Sequence, residues 1–111
     1  MQNTEKQFGR AKSLDTYTPV GPFVHTGVDV SDLPITLRQN GAVRQNARTS
    51  QMIYPVAEIV SFASHGLTLL PGDLILTGTP SGVGPIKPGD ELEGTIGDWP
   101  ALRNRVALAT K

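Results

Sequence analysis

Cysteine is absent from this 111-residue chain. That excludes disulfides, thiolate metal sites and a thiol nucleophile, and it fits a reducing compartment. Aromatic residues make up only 5% of the sequence, which leaves the core to Val, Ile, Leu and Ala. Net charge is missing too, because 10 Lys+Arg balance 10 Asp+Glu, with no basic run and no acidic tail. Such a balance argues against nucleic acid or an anionic membrane as the main partner. No apolar stretch reaches the roughly 18 residues of a membrane span. The opening Met1-Gln2-Asn3-Thr4-Glu5-Lys6-Gln7 is too polar for a signal peptide, so a cytoplasmic protein is expected.

What the chain has in quantity is punctuation. Its 12 glycines and 9 prolines are spread along the whole length, which suits many short strands and turns in one domain. Residues 1–10 are polar and aperiodic, and an irregular start is expected there. Thr18-Pro19-Val20-Gly21-Pro22 reads as an extended segment, and Phe23-Val24-His25-Thr26 as a short strand. Ile35–Gln39 and Ala42–Asn46 flank Asn40-Gly41, the strongest short-range hairpin signal, since both residues tolerate positive φ. Val56, Ile59, Val60 and Ala63 recur at helical spacing, so a helix is expected over Pro55–His65, with Gly66 as its stop. Strands are expected again at Asp90–Ile96 and Leu102–Leu108. The fold class that follows is mainly β with one helix, α+β.

Pro71–Gly84 is the stretch around which the rest is arranged. Pro71-Gly72-Asp73 is a turn, and Leu74-Ile75-Leu76 suits a buried strand. Thr77-Gly78-Thr79-Pro80-Ser81-Gly82-Val83-Gly84 follows, with little side-chain bulk to keep a ligand from its N–H groups and hydroxyls. An oxyanion such as a carboxylate or enolate is one natural guest. A tight turn in which glycine only supplies positive φ is the other reading.

The remaining chemistry-bearing residues are few. Lys12 supplies either a point charge for an anion or a solvated surface amine. His65, at a helix end, suits a dipole-complementing role, and His25 has no ligand-spaced neighbour, so both read as structural. Asp90, Glu91 and Glu93 form the only carboxylate cluster, as a metal-binding pair or, more simply, as a solvated strand face. No catalytic triad, phosphate loop, dinucleotide fingerprint or zinc motif is present.

Four ordered stretches resemble the fumarylacetoacetate hydrolase family. They are Gly9–Asp15, Pro19–Pro22, Asn40–Gln45 and Pro71–Gly84, and the similarity runs from Gln7 to Val106, within the C-terminal portion of the family's catalytic domain. The resemblance implies a β-rich roll with mixed sheets, here incomplete, that usually forms a homodimer. It also implies Mg²⁺ or Mn²⁺ as cofactor and a small 2-oxo acid, an acylpyruvate or β-dicarbonyl, as substrate. Hydrolase, isomerase and decarboxylase activities all occur among such relatives. The family's substrate-binding lysine matches Lys12, and its Gly-Thr pair matches Gly78 and Thr79.

The family's metal ligands, a Glu-x-Glu pair and an aspartate, lie upstream of that lysine, as does its histidine–glutamate dyad. Here Glu5 is the sole carboxylate upstream of Lys12. No catalytic residue and no metal ligand is therefore assignable, and Asp90, Glu91 and Glu93 lie on the wrong side of the motif. The whole chain, 1–111, is read as a partial domain, expected to be inactive alone and to self-associate or pair with a complementing N-terminal half. A free-standing, non-catalytic β-rich binding domain is the alternative.

Overall fold

Asn40-Gly41 fixes the geometry of the first two strands. In the computed structural model, which describes Lys12 and residues 14–108, these two residues take φ of 53° and 82°. Both values lie in the left-handed region that a two-residue hairpin turn of this hand requires. Strands β1 (Pro34–Gln39) and β2 (Ala42–Arg48) run antiparallel on either side of the turn. Strand β3 (Glu91–Ile96) pairs with the other edge of β1, and β4 (Leu102–Arg105) pairs with β3, both antiparallel. The result is an open four-stranded sheet in the order β2-β1-β3-β4. With the helix that follows Pro55 among the described residues, the fold is α+β and mainly β, as the sequence predicts.

The hairpin is not regular. Val43 lies opposite Arg38 and Gln45 opposite Leu37, so Arg44 is an extra residue with no partner of its own. Such a bulge bends its strand and re-aims side chains. Val43 and Gln45, two apart, would share a face in an unbroken strand. Here they fall on opposite faces, Val43 beside Arg38 and exposed, Gln45 beside Leu37 and buried.

Helix α1 (Val56–Gly66) starts after Pro55, whose carbonyl accepts the N–H groups of Glu58 and Ile59. Glu58 in the first turn and His65 in the last both suit the helix dipole. Val56, Ile59 and Ala63 are half-buried at the predicted spacing, whereas Phe62 is 84% exposed.

A buried carboxylate ties the sheet to its connections. Asp90, 2% exposed, sits just before β3. Its Oδ1 accepts from Asn40 Nδ2 at 2.9 Å, and its Oδ2 accepts from Gln39 Nε2 at 2.6 Å and from the Lys87 backbone N–H at 2.9 Å. Asn40 completes the lock, because its own Oδ1 accepts the Glu91 N–H at 2.9 Å. The donation from Asn40, with those from Lys87 and Gln39, holds the Asp90 carboxyl below the usual carboxylate range.

Three expectations are corrected. Phe23–Thr26 is not a strand; among the described residues no neighbouring strand gives it a ladder partner, and Gly27 turns the chain at φ 67°. Leu74–Leu76 is neither a strand nor buried: Leu74 and Leu76 are 64% and 63% exposed. Among the described residues no strand lies alongside to give this apolar run ladder partners or cover. The last strand ends at Arg105 rather than Leu108. The expectation for residues 1–10 lies outside the described residues.

Candidate anion-binding site

The Pro71–Gly84 segment opens on the predicted turn. The Asp73 N–H donates to the Leu70 carbonyl at 3.0 Å, the Leu70 N–H donates to Asp73 Oδ2 at 2.7 Å, and Gly72 takes φ 96°. Further on, the loop crosses the bulged part of β2 at very short range. A Cβ built on Gly82 would collide with the Arg44 carbonyl oxygen, and Gly82 also takes φ 101°. A Cβ on Gly84 would come 3.1 Å from Arg44 Nη2. Glycine at 82 is thus needed twice over, for its φ and for backbone-to-backbone approach.

Gln45 fastens the loop from the strand side. Its Nε2 donates to the Pro80 carbonyl at 2.8 Å and to Thr79 Oγ1 at 2.9 Å. Gln45 is one of two polar side chains that are buried among the described residues, the other being Asp90. The bulge at Arg44 turns this carboxamide toward the loop.

Beside this seat lies a cavity of about 210 Å³. Lys12, Arg44, Gln45 and Thr79 give it polar and cationic walls, and Leu37 and Leu92 of the sheet make it partly apolar. Neither Lys12 nor Arg44 has an ion-pair partner among the described residues; the ion pairs there are Asp32–Arg48 and Glu93–Arg103. Lys12 and Thr79 therefore open on one space. Gly78, at φ 124°, lines instead an adjoining depression of about 630 Å³, which Thr79 also borders. Lys12, Arg44 and Thr79 all line the smaller cavity, and Thr79 borders both spaces.

The other candidates have local duties. His25 stacks on Trp99 with ring centroids 4.2 Å apart and planes 6° from parallel. A ring nitrogen of His65 lies 2.7 Å from the Ser61 carbonyl, inside its own helix. Glu93 pairs with Arg103 at 2.7 Å. Among the described residues no group of three or more His, Asp or Glu side chains is placed to hold a metal ion. The described residues by themselves therefore do not fit Mg²⁺ or Mn²⁺.

Arg44 and Gln45 were not singled out from the sequence. Alternation assigns Gln45 to the face of Val43, and only the bulge, invisible in residue types, reverses it.

The described residues thus form a β-rich scaffold that brings a glycine-rich loop, Lys12 and Arg44 to one cavity. Comparison with known proteins gives its kinship. The chain belongs to the fumarylacetoacetate hydrolase family: residues 1–107 match the Fumarylacetoacetate (FAA) hydrolase C-terminal domain. It is similar to the 2-hydroxyhepta-2,4-diene-1,7-dioate isomerase of Mycobacterium marinum, with 53% identity and a TM-score of 0.90 over 96% of this chain and 42% of that one. It is 50% identical to the maleylpyruvate hydrolase of Aquipseudomonas alcaligenes over 77% of this chain and 31% of the relative. A fumarylpyruvate hydrolase from Pseudomonas aeruginosa, solved in complex with Mn²⁺ and pyruvate, matches at 40% identity and a TM-score of 0.68, over 71% of this chain and 34% of its own. The chain thus spans less than half the length of these relatives.

Proposed function

We propose that this chain is the carboxylate- and oxo-binding portion of a divalent-metal-dependent enzyme acting on 2-oxo acids. The class is an acylpyruvate or β-dicarbonyl hydrolase, isomerase or decarboxylase. One observation carries this reading: Lys12 and Thr79, far apart in sequence, line the same cavity. Lys12 would neutralise a carboxylate, and the Thr79 hydroxyl would donate to a neighbouring oxygen. Gly78 leaves the backbone beside Thr79 open to close approach, since a Cβ there would meet nothing within 4 Å and only its φ demands glycine. In this reading the chain supplies ligand-binding groups, and the metal ligands come from the other half of the domain.

The test uses oxalate as a planar enolate mimic in isothermal titration of the 111-residue chain. Weak binding is expected. Thr79→Ala should weaken it by roughly 1–3 kcal/mol, the range for leaving a ligand oxygen unpaired. Lys12→Ala should weaken it as well, and wild-type affinity should fall with added salt more steeply than the variant's. Turnover of an acylpyruvate by the unaccompanied chain with Mg²⁺ would overturn the incomplete-site reading. Turnover that appears only when the N-terminal half of a relative is added would support it.

The same reading concerns partners. Ile53 is 90% exposed, and Phe62, Leu74 and Leu76 are largely uncovered with it. Apolar surface on this scale marks an interface or an aggregation liability. Sedimentation is expected to show self-association of the isolated chain, whether as a homo-oligomer or as larger species, relieved by a complementing half. A stable, compact monomer would count against it.

A further inference from the structure

The orientation of Gln45 decides what Thr79 can do. A carbonyl oxygen only accepts hydrogen bonds, so the Gln45 atom 2.8 Å from the Pro80 carbonyl must be the NH₂ nitrogen. That fixes the amide orientation on chemical grounds. The NH₂ group has two hydrogens. One is committed to Pro80, and the other points to Thr79 Oγ1 at 2.9 Å. In that second bond the threonine oxygen is the acceptor. Its own hydrogen is therefore left over, and the oxygen carries no other hydrogen bond among the described residues.

We infer that Gln45 is a positioning residue for the ligand site: by donating to Thr79 Oγ1 it pins that side chain and leaves its hydroxyl proton to be given to a ligand oxygen. This rests on the proposed site at Lys12 and Thr79. It adds a residue outside that set and a polarity, since the ligand atom facing Thr79 must be an acceptor. A hydroxyl without such a fixed donor rotates and offers hydrogen or lone pair by turns. Burial strengthens the arrangement. Gln45 is 9% exposed, so water competes poorly for its NH₂, and a side chain of similar volume lacking it would leave the Pro80 carbonyl unpaired.

Gln45→Met keeps the volume and removes both donations. Two measurements on the 111-residue chain test the role. The first is ligand-free: three-bond NMR couplings report the Thr79 χ1 rotamer, and amide shifts of β1 and β2 report whether the hairpin is intact. A single rotamer is expected in the wild type and an averaged one in Gln45→Met with the hairpin preserved. An averaged rotamer in the wild type, or the same single rotamer in the variant, overturns the inference whatever the ligand does.

The second measurement is oxalate affinity in a double-mutant cycle. Gln45→Met should lose about tenfold, as should Thr79→Val, while Thr79→Ser stays within a few-fold of wild type. The double variant should be no weaker than Thr79→Val alone. A further tenfold loss in the double variant would show Gln45 acting on the ligand directly, and the positioning role would fall. Absence of oxalate binding by the wild type, with the rotamer difference present, would overturn the proposed function and leave the Gln45–Thr79 coupling standing.

Discussion

Gly82→Ala is expected to unlatch the loop from the sheet. The added methyl would have to occupy the space of the Arg44 carbonyl oxygen, and Arg44 is held between the paired residues Val43 and Gln45. The φ of 101° is a second penalty, since alanine is disfavoured there by its own Cβ. Both effects act on one residue, so the loop lifts rather than adjusts. The Gln45 donations to Thr79 and Pro80 then stretch or break. Oxalate affinity should fall by at least about tenfold, and thermal stability should fall with it. Gly84→Ala is the control. Its methyl meets the movable end of the Arg44 side chain, and the effect on thermal stability should be small. Equal losses from both variants would show that the approach at Gly82 is not what seats the loop.

Asp90→Asn is expected to be the most destabilising isosteric change in the sheet. The carboxylate accepts three donations, from Asn40, Gln39 and Lys87. A carboxamide has only one oxygen. If that oxygen faces Gln39 and Lys87, the new NH₂ opposes the Asn40 NH₂. Turning Asn40 over relieves this only by setting its NH₂ against the Glu91 N–H, which its oxygen now accepts. The opposite choice sets the NH₂ against the Lys87 N–H, which cannot turn. Some donor therefore faces a donor in a buried place, and a Tm fall of about 10 °C is expected by thermal unfolding.

The same carboxylate gives stability a pH dependence of known sign. Its folded-state pKa is depressed, so its contribution is present above the ordinary carboxylate value of about 4 and is lost as pH falls through the folded value. Asp32 behaves alike. Donations from Arg48 and Ser50 bring it down to about 2, so its contribution is lost between about pH 4 and pH 2. Acid unfolding of Asp90→Asn should therefore show a shallower slope below about pH 4 than the wild type. An unchanged slope would remove Asp90 from the acid-sensitive set.

Which of these features a sequence can announce depends on the distance over which they are determined. The Asn40-Gly41 hairpin and the helix after Pro55 rest on residues within a few positions of each other, and both stand where the pattern puts them. Leu74–Leu76 has the composition of an interior strand, but a strand also needs a neighbour, and none of the described residues provides one. Asp90 looked like the end of a solvated acidic face. Its burial is decided by Gln39 and Asn40, some fifty positions earlier in the chain. At the ligand site, Lys12 and Thr79 were named from the family resemblance and the open character of the loop. Gln45 was hidden because one unpaired residue inverted the alternation that would have revealed it.

That unpaired residue is surplus to the sheet. If Arg44 were deleted, Val43 would still face Arg38 and Gln45 would still face Leu37, now as consecutive rungs. Every cross-strand pair would survive, and the strand would simply become regular. What would vanish is the carbonyl against which Gly82 rests and the guanidinium beside Gly84. The hairpin can therefore change its length by one residue here without renumbering any of its partners. A shortened hairpin would keep its ladder and lose the step on which the loop leans.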